Sequence, residues 1–234
     1  MHSGSAAAVV VFLALTLLLA LFFLPAFIAR SVLRHYSDER EDFPGTGGEL
    51  ARHLLDRRGL NDVVVEVTEA GDHYDPQARA VRLSPQNHDG RSLTAVTVAA
   101  HEVGHALQHA EGYAPLQIRS TLARSAQQAE RIGAWVMMLV PVMAVLTRSP
   151  VGAGFVLLVG VVSFGVSALV HLVTLPVELD ASYRRAMPIL AMGYIPPRDQ
   201  RAARRILTVC AFTYVATALA SVLNMWRWLA LIRR

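Results

Sequence analysis

The stretch that most restricts how this chain can fold is His101-Glu102-Val103-Gly104-His105. It lies in a run of small and apolar residues that begins at Leu93, contains no proline, and follows Ser92, a residue type suited to cap a helix. A helix is therefore expected there. Residues four apart on a helix lie one above the other, so both imidazoles leave the same face and can bind one Zn²⁺. Glu102 then stands beside the metal as the catalytic base. A carboxylate so placed can take a proton from water whose pKa the ion lowers to roughly 7, and return it to a leaving amine. A buried helix has little other reason to carry two histidines and a glutamate at this spacing, which is that of a zinc peptidase. His109 lies one turn farther on. Eight residues of helix span about 12 Å, too far for His101 and His109 to share an ion, so His109 is expected beside the site or facing solvent.

Composition bears on where that helix sits. Of the 234 residues 53% are hydrophobic, and the mean hydropathy of +0.38 is high for a soluble protein. Four apolar runs, Ala6 to Ala29, Ile132 to Thr147, Val151 to Leu175 and Ile206 to Leu223, are each read as a transmembrane helix, the second kinked at Pro141. The first is expected to be a retained anchor, because no basic residue precedes it while Arg30 and Arg34 follow it. Those arginines and Arg40 place the next segment in the cytoplasm. The expected fold class is a mostly α membrane protein, about four transmembrane helices plus a small α+β cytoplasmic catalytic domain of minimal zincin type. Its expected parts are an N-terminal anchor (1–34), a zinc-binding catalytic segment (35–131), a transmembrane hairpin (132–175), a second cytoplasmic segment (176–205) and a C-terminal transmembrane helix with its tail (206–234).

The formal net charge is +4, and all 22 basic residues are arginine. They gather near the ends of the apolar runs and form no basic stripe interleaved with aromatics, so nucleic acid is not an expected partner; the lipid bilayer is. With Cys210 as its single cysteine, the chain can make neither an internal disulfide nor a thiolate metal site.

Within 35–131, a solvated linker at Asp38-Glu39-Arg40-Glu41-Asp42 leads to a helix over Glu49 to Arg58, stopped by Gly59. Val63 to Val67 and Ala80 to Ser84 are expected strands, joined as a hairpin across Gly71 to Pro76. In that connection, His73 and Tyr74 are candidate oxyanion donors, against the plainer reading of a polar turn with Asp75 and Pro76. A strand edge beside the metal would let an extended peptide add as a further strand. For a third metal ligand the residues leave three candidates. Glu178 returns to the same face after the hairpin, Glu130 is closer in sequence, and Glu111 is the weakest.

Four blocks then stand in order: Asp72-His73-Tyr74-Asp75-Pro76, Val81-Arg82-Leu83-Ser84, Ala99-Ala100-His101-Glu102-Val103-Gly104-His105-Ala106, and Leu175-Pro176-Val177-Glu178-Leu179-Asp180-Ala181-Ser182. Together they resemble the YugP-like membrane zinc metallopeptidases of bacteria, a gluzincin-type family in which a downstream glutamate completes the two-histidine motif. The resemblance runs from about Tyr36 to the end of the chain. It implies His101, His105 and Glu178 as ligands, Glu102 as base, and Asp180 as the carboxylate that supports a ligating histidine. It also implies zinc as cofactor, a peptide or protein substrate, and a multi-pass location in the bacterial inner membrane. The expected function is membrane-bound, zinc-dependent endopeptidase activity. The alternative is a non-catalytic zinc-stabilised membrane scaffold or adaptor; structural zinc favours four ligands and usually cysteine, which this chain lacks.

Overall fold

The computed structural model describes residues 24–122 and 173–212, together with Thr16 and Ser125. A helix over residues 24–35 enters the body, followed by α1 (Gly47–Arg57), strands β1 (Val64–Val67), β2 (His73–Asp75) and β3 (Ala80–Leu83), the single turn α2 (Pro85–His88), and α3 (Leu93–Ala110). A further helix begins at 114 and is described through 122. The second described stretch is helical from 173, widens into π-helix over Asp180–Ala186, returns to α over Met187–Ile189, and widens again over Leu190–Tyr194. A 3₁₀ turn, Pro197–Asp199, leads into a helix described over 200–212.

Local chemistry accounts for the helix starts. Ser92 Oγ accepts from Ala95 N–H at 3.0 Å and so caps α3 as its sequence suggests. α1 opens on a capping box, in which Thr46 Oγ1 accepts from Glu49 N–H at 3.2 Å and the Glu49 carboxylate accepts from Thr46 N–H at 2.8 Å. It ends before Gly59, whose φ of +70° suits glycine. α1 lies directly on α3: a Cβ on Gly47 would fall 2.8 Å from Ala95 O, so only glycine permits that approach.

The sheet has the order β1-β3-β2. Both expected strands are present, but the expected hairpin between them is not: β1 and β3 run parallel, Val64 opposite Ala80 through Val67 opposite Leu83. The reason lies in His73-Tyr74-Asp75, read as part of a turn, which is itself a strand antiparallel to β3. Asp75 Oδ1 accepts from the N–H groups of Gln77 and Ala78 at 2.9 and 3.0 Å, folding the chain tightly back into β3. β3 thus takes its sequence neighbour on one side, and β1 joins on the other.

The fold class requires a larger correction. Among the described residues no helix is long and apolar enough to cross a membrane, so the expected four transmembrane helices are not supported. What the described residues form is a mainly helical body with one small sheet. Most of the runs 6–29, 132–147, 151–175 and 206–223 lies outside the described residues. Their described ends differ: Leu24, Phe27 and Ile28 of the first run are exposed, whereas residues at the start of the fourth serve a protein core. Ile206, Leu207 and Ala211 are fully buried, and the first two belong to one hydrophobic cluster with Leu55, Val81, Val103 and Leu190. An apolar run has the same composition whether its partner is lipid or a packed core, and hydropathy alone does not separate the two. Segments expected as distinct, 35–131 and 176–205, meet in this cluster. The expected solvated linker is also tied down, by Arg40 to Asp199 at 2.8 Å and Arg198 to Asp42 at 2.8 Å.

Candidate metal centre

α3 is buried from Leu93 through Gln108, so the motif lies inside the protein. His101 and His105 are 2% and 3% exposed, and their rings meet edge to face with centroids 4.8 Å apart. Opposite them stands Glu178, 0% exposed, on the helical turn before the π-helical stretch. Its Oε2 is 3.2 Å from His101 Nε2 and 3.3 Å from His105 Nε2. One donor atom from each of the three residues can be chosen so that all lie within 4.8 Å of one another.

Gly104 is what lets the two segments meet. A Cβ there would stand 2.8 Å from Ala181 O, so the backbone of the π-helical stretch rests directly on α3. The same stretch sends Ser182 Oγ to His101 Nδ1 at 3.1 Å. His105 Nδ1 is met from its own helix by Gln108 Oε1 at 2.9 Å. Each histidine is therefore held through Nδ1 and directs Nε2 at Glu178, which is how metal-binding histidines are commonly supported.

The electrostatics suit a cation. His105 Nε2 is buried with no hydrogen-bond partner, an orphan of the kind a metal ion satisfies. Burial alone would raise the Glu178 carboxyl, but the adjacent His105 and the hydrogen bond from His101 outweigh it and hold the group well below the usual carboxylate range. Arg119 Nη1 adds a contact at 3.0 Å to Glu178 Oε1. Burial pushes the Glu102 carboxyl up to about 7; His101 opposes the rise and the Glu178 carboxylate adds to it. Two histidines and a glutamate form a donor set compatible with zinc, a standard one for a catalytic site that keeps a position open.

Other candidates lie elsewhere. Asp180 does not touch a histidine; its Oδ2 accepts from Gln108 Nε2 at 2.8 Å and from Arg185 Nε at 2.7 Å, so it reaches His105 only through Gln108. Two residues of spacing after Glu178 turn its carboxylate toward the glutamine instead. Glu111 pairs with Arg185 at 2.8 Å, and Glu130 lies outside the described residues. His73 Nδ1 bonds Gly71 O at 2.8 Å, and the Tyr74 hydroxyl bonds His109 Nδ1 at 2.8 Å, so neither reaches the cluster through a hydrogen bond. His109 also lines a cavity of about 250 Å³, with Pro76, Gln77, Leu116, Ser120 and Thr121 among its walls. Sequence reading missed Ser182, Gln108 and Arg119. A polar residue three positions beyond His105, in an otherwise apolar run, was the available signal for Gln108; Arg119 carried none.

A family model described as "Putative neutral zinc metallopeptidase" matches residues 10–233. The "Putative membrane protease YugP" of Bacillus subtilis (strain 168) is 36% identical over 212 residues, covering 90% of this chain and 91% of that protein. No solved structure matches the chain.

Proposed function

The chain belongs to this family of neutral zinc metallopeptidases, and from that premise we propose that it is a zinc-dependent endopeptidase with His101, His105 and Glu178 as metal ligands and Glu102 as general base. The observation that carries the reading is the buried convergence of His101 Nε2, His105 Nε2 and Glu178 Oε2, with the His105 nitrogen left orphaned. Its substrates are peptides or proteins. Zinc, when bound, supplies Lewis-acid polarisation of a carbonyl and lowers the pKa of water.

The chain's own residues do the rest. Glu102, the neighbour of His101 in a buried setting, accepts a proton on its carboxylate from the attacking water as the C–O bond forms. It then delivers that proton to the leaving nitrogen as the C–N bond breaks. A carboxyl near 7 suits both transfers, since it holds or releases a proton at small cost around neutral pH. Buried walls on α3 keep bulk water from competing for the same groups. The relative's name carries a membrane, and a membrane location for this chain is part of the same proposal. Recovery of the full chain only in the soluble fraction of lysed cells would remove that part.

Replacing Glu102 by Gln keeps the shape and removes the base. The variant is expected to bind zinc as the wild type does and to cleave a mixed peptide library about 10²- to 10⁴-fold more slowly. Undiminished cleavage by the zinc-loaded variant would overturn the role of Glu102.

A further inference from the structure

We infer that Gln108 is the positioning residue of this centre, fixing with one side chain the ring of His105, the backbone carbonyl just before Glu178 and the Asp180 carboxylate just after it. The inference rests on the ligand reading above. Gln108 is fully buried at 0% exposure, where each of its polar atoms needs a partner. Its amide nitrogen stands 2.8 Å from Val177 O and 2.8 Å from Asp180 Oδ2. A carbonyl and a carboxylate only accept, so both N–H groups are committed there. Turning the amide over would set its oxygen against two acceptors, which fixes the amide in the orientation given.

That leaves Oε1 toward His105 Nδ1 at 2.9 Å, and an amide oxygen can only accept. His105 therefore carries its ring proton on Nδ1 and presents a lone pair at Nε2, toward Glu178 Oε2 at 3.3 Å. Such a lone pair is what a metal takes, and the opposite tautomer would present a proton instead. The two acceptors that hold Gln108 are one residue before Glu178 and two after it. The grip that selects the tautomer of one ligand thus also sets where the segment bearing another lies against α3. Asp180 is itself held by Arg185 Nε at 2.7 Å, and Arg185 reaches Glu111 at 2.8 Å, so the far end of the grip is anchored to the end of the same helix. Ser182 serves His101 in parallel, but holds neither side of Glu178 by a side-chain bond: its Oγ donates to Leu207 O at 3.2 Å and faces His101 Nδ1 at 3.1 Å.

The test combines tautomer and affinity. Ring-nitrogen NMR of the metal-free, ¹⁵N-histidine-labelled full chain at mildly alkaline pH is expected to show His105 protonated on Nδ1 in the wild type. In Gln108→Leu that ring is expected to lose its single tautomer, and competition titration with zinc to give an affinity weaker by about 10- to 100-fold. Gln108→Met, closer in shape, supplies the same readout if the leucine variant does not fold. A residue that only filled space would lower the melting temperature and leave the tautomer alone. A wild-type His105 protonated on Nε2, or unchanged zinc affinity in a folded variant, would overturn the inference while leaving the ligands in place. A wild type that binds no zinc at all would overturn the ligand reading, and this inference with it.

Discussion

The two segments that build the centre solve one problem in opposite ways. α3 presents His101 and His105 through regular geometry, since a spacing of four on an α-helix aligns them before anything else folds. The stretch from 173 to 194 presents Glu178 through irregular geometry, entering π-helix two residues after it, and depends on contacts with α3 for its position. Single-turn π-helical insertions are frequent at functional sites, because the widened turn re-aims side chains that a regular helix would distribute evenly. One half of the site is thus encoded locally and the other only in the folded protein.

Removing the nonlocal half is expected to have the largest effect. Glu178→Ala leaves both histidines on a regular helix, yet zinc measured in the purified protein is expected to fall to background and peptide cleavage to vanish with it. Retention of stoichiometric zinc would mean that α3 alone suffices. The next effect is smaller and belongs to α3. Because burial holds the Glu102 carboxyl at about 7 against an ordinary 4.5, the metal-free folded state binds that proton more tightly than the unfolded chain does. The resulting stabilisation is complete below pH 4.5 and is lost as pH rises through 7. Glu102→Gln, which never ionises, is therefore expected to exceed the metal-free wild type by roughly 3 kcal/mol above pH 7 and to match it below 4.5 in denaturant titrations. Zinc should narrow the gap, since a nearby cation favours the carboxylate. Equal stabilities at alkaline pH in the absence of metal would show that Glu102 is better solvated than its burial implies. The smallest expected effect lies at the contact between the halves. Gly104→Ala forces Ala181 O away from α3 and is expected to cost about 1–3 kcal/mol of stability, with zinc affinity reduced as Glu178 shifts. Calorimetry and zinc titration of the same preparation would separate the two, and an unaltered Tm would show that the segments are not in firm contact.

The same division explains what could be read in advance. Ser92, the apolar run and the four-residue spacing are local signals, and α3 begins at Leu93 as they indicate. Strands at 64–67 and 80–83 were legible from β-branched and apolar residues, but their parallel pairing was not. It depends on β2 claiming one edge of β3, a competition between partners that no single strand records. Apolar runs signalled burial without naming the partner, and at Ile206 and Leu207 the partner is protein. Glu178 was one of three acidic candidates by spacing, and resemblance to a family, rather than physics, singled it out. Gln108 offered only its polarity in an apolar run and Arg119 no signal at all, because their roles depend on what the fold sets opposite them.

Glu178 and His101 are 77 positions apart in sequence and 3.2 Å apart in space. An ion shared between them joins parts of the chain that are distant in sequence, and because it binds only where they meet it stabilises the folded state. For a protein whose single cysteine rules out an internal disulfide, metal loading becomes the available staple. Free zinc at a hundred times its dissociation constant would add about 2.7 kcal/mol to stability by mass action. The supply of metal would then govern how stably each copy folds as well as whether it can act.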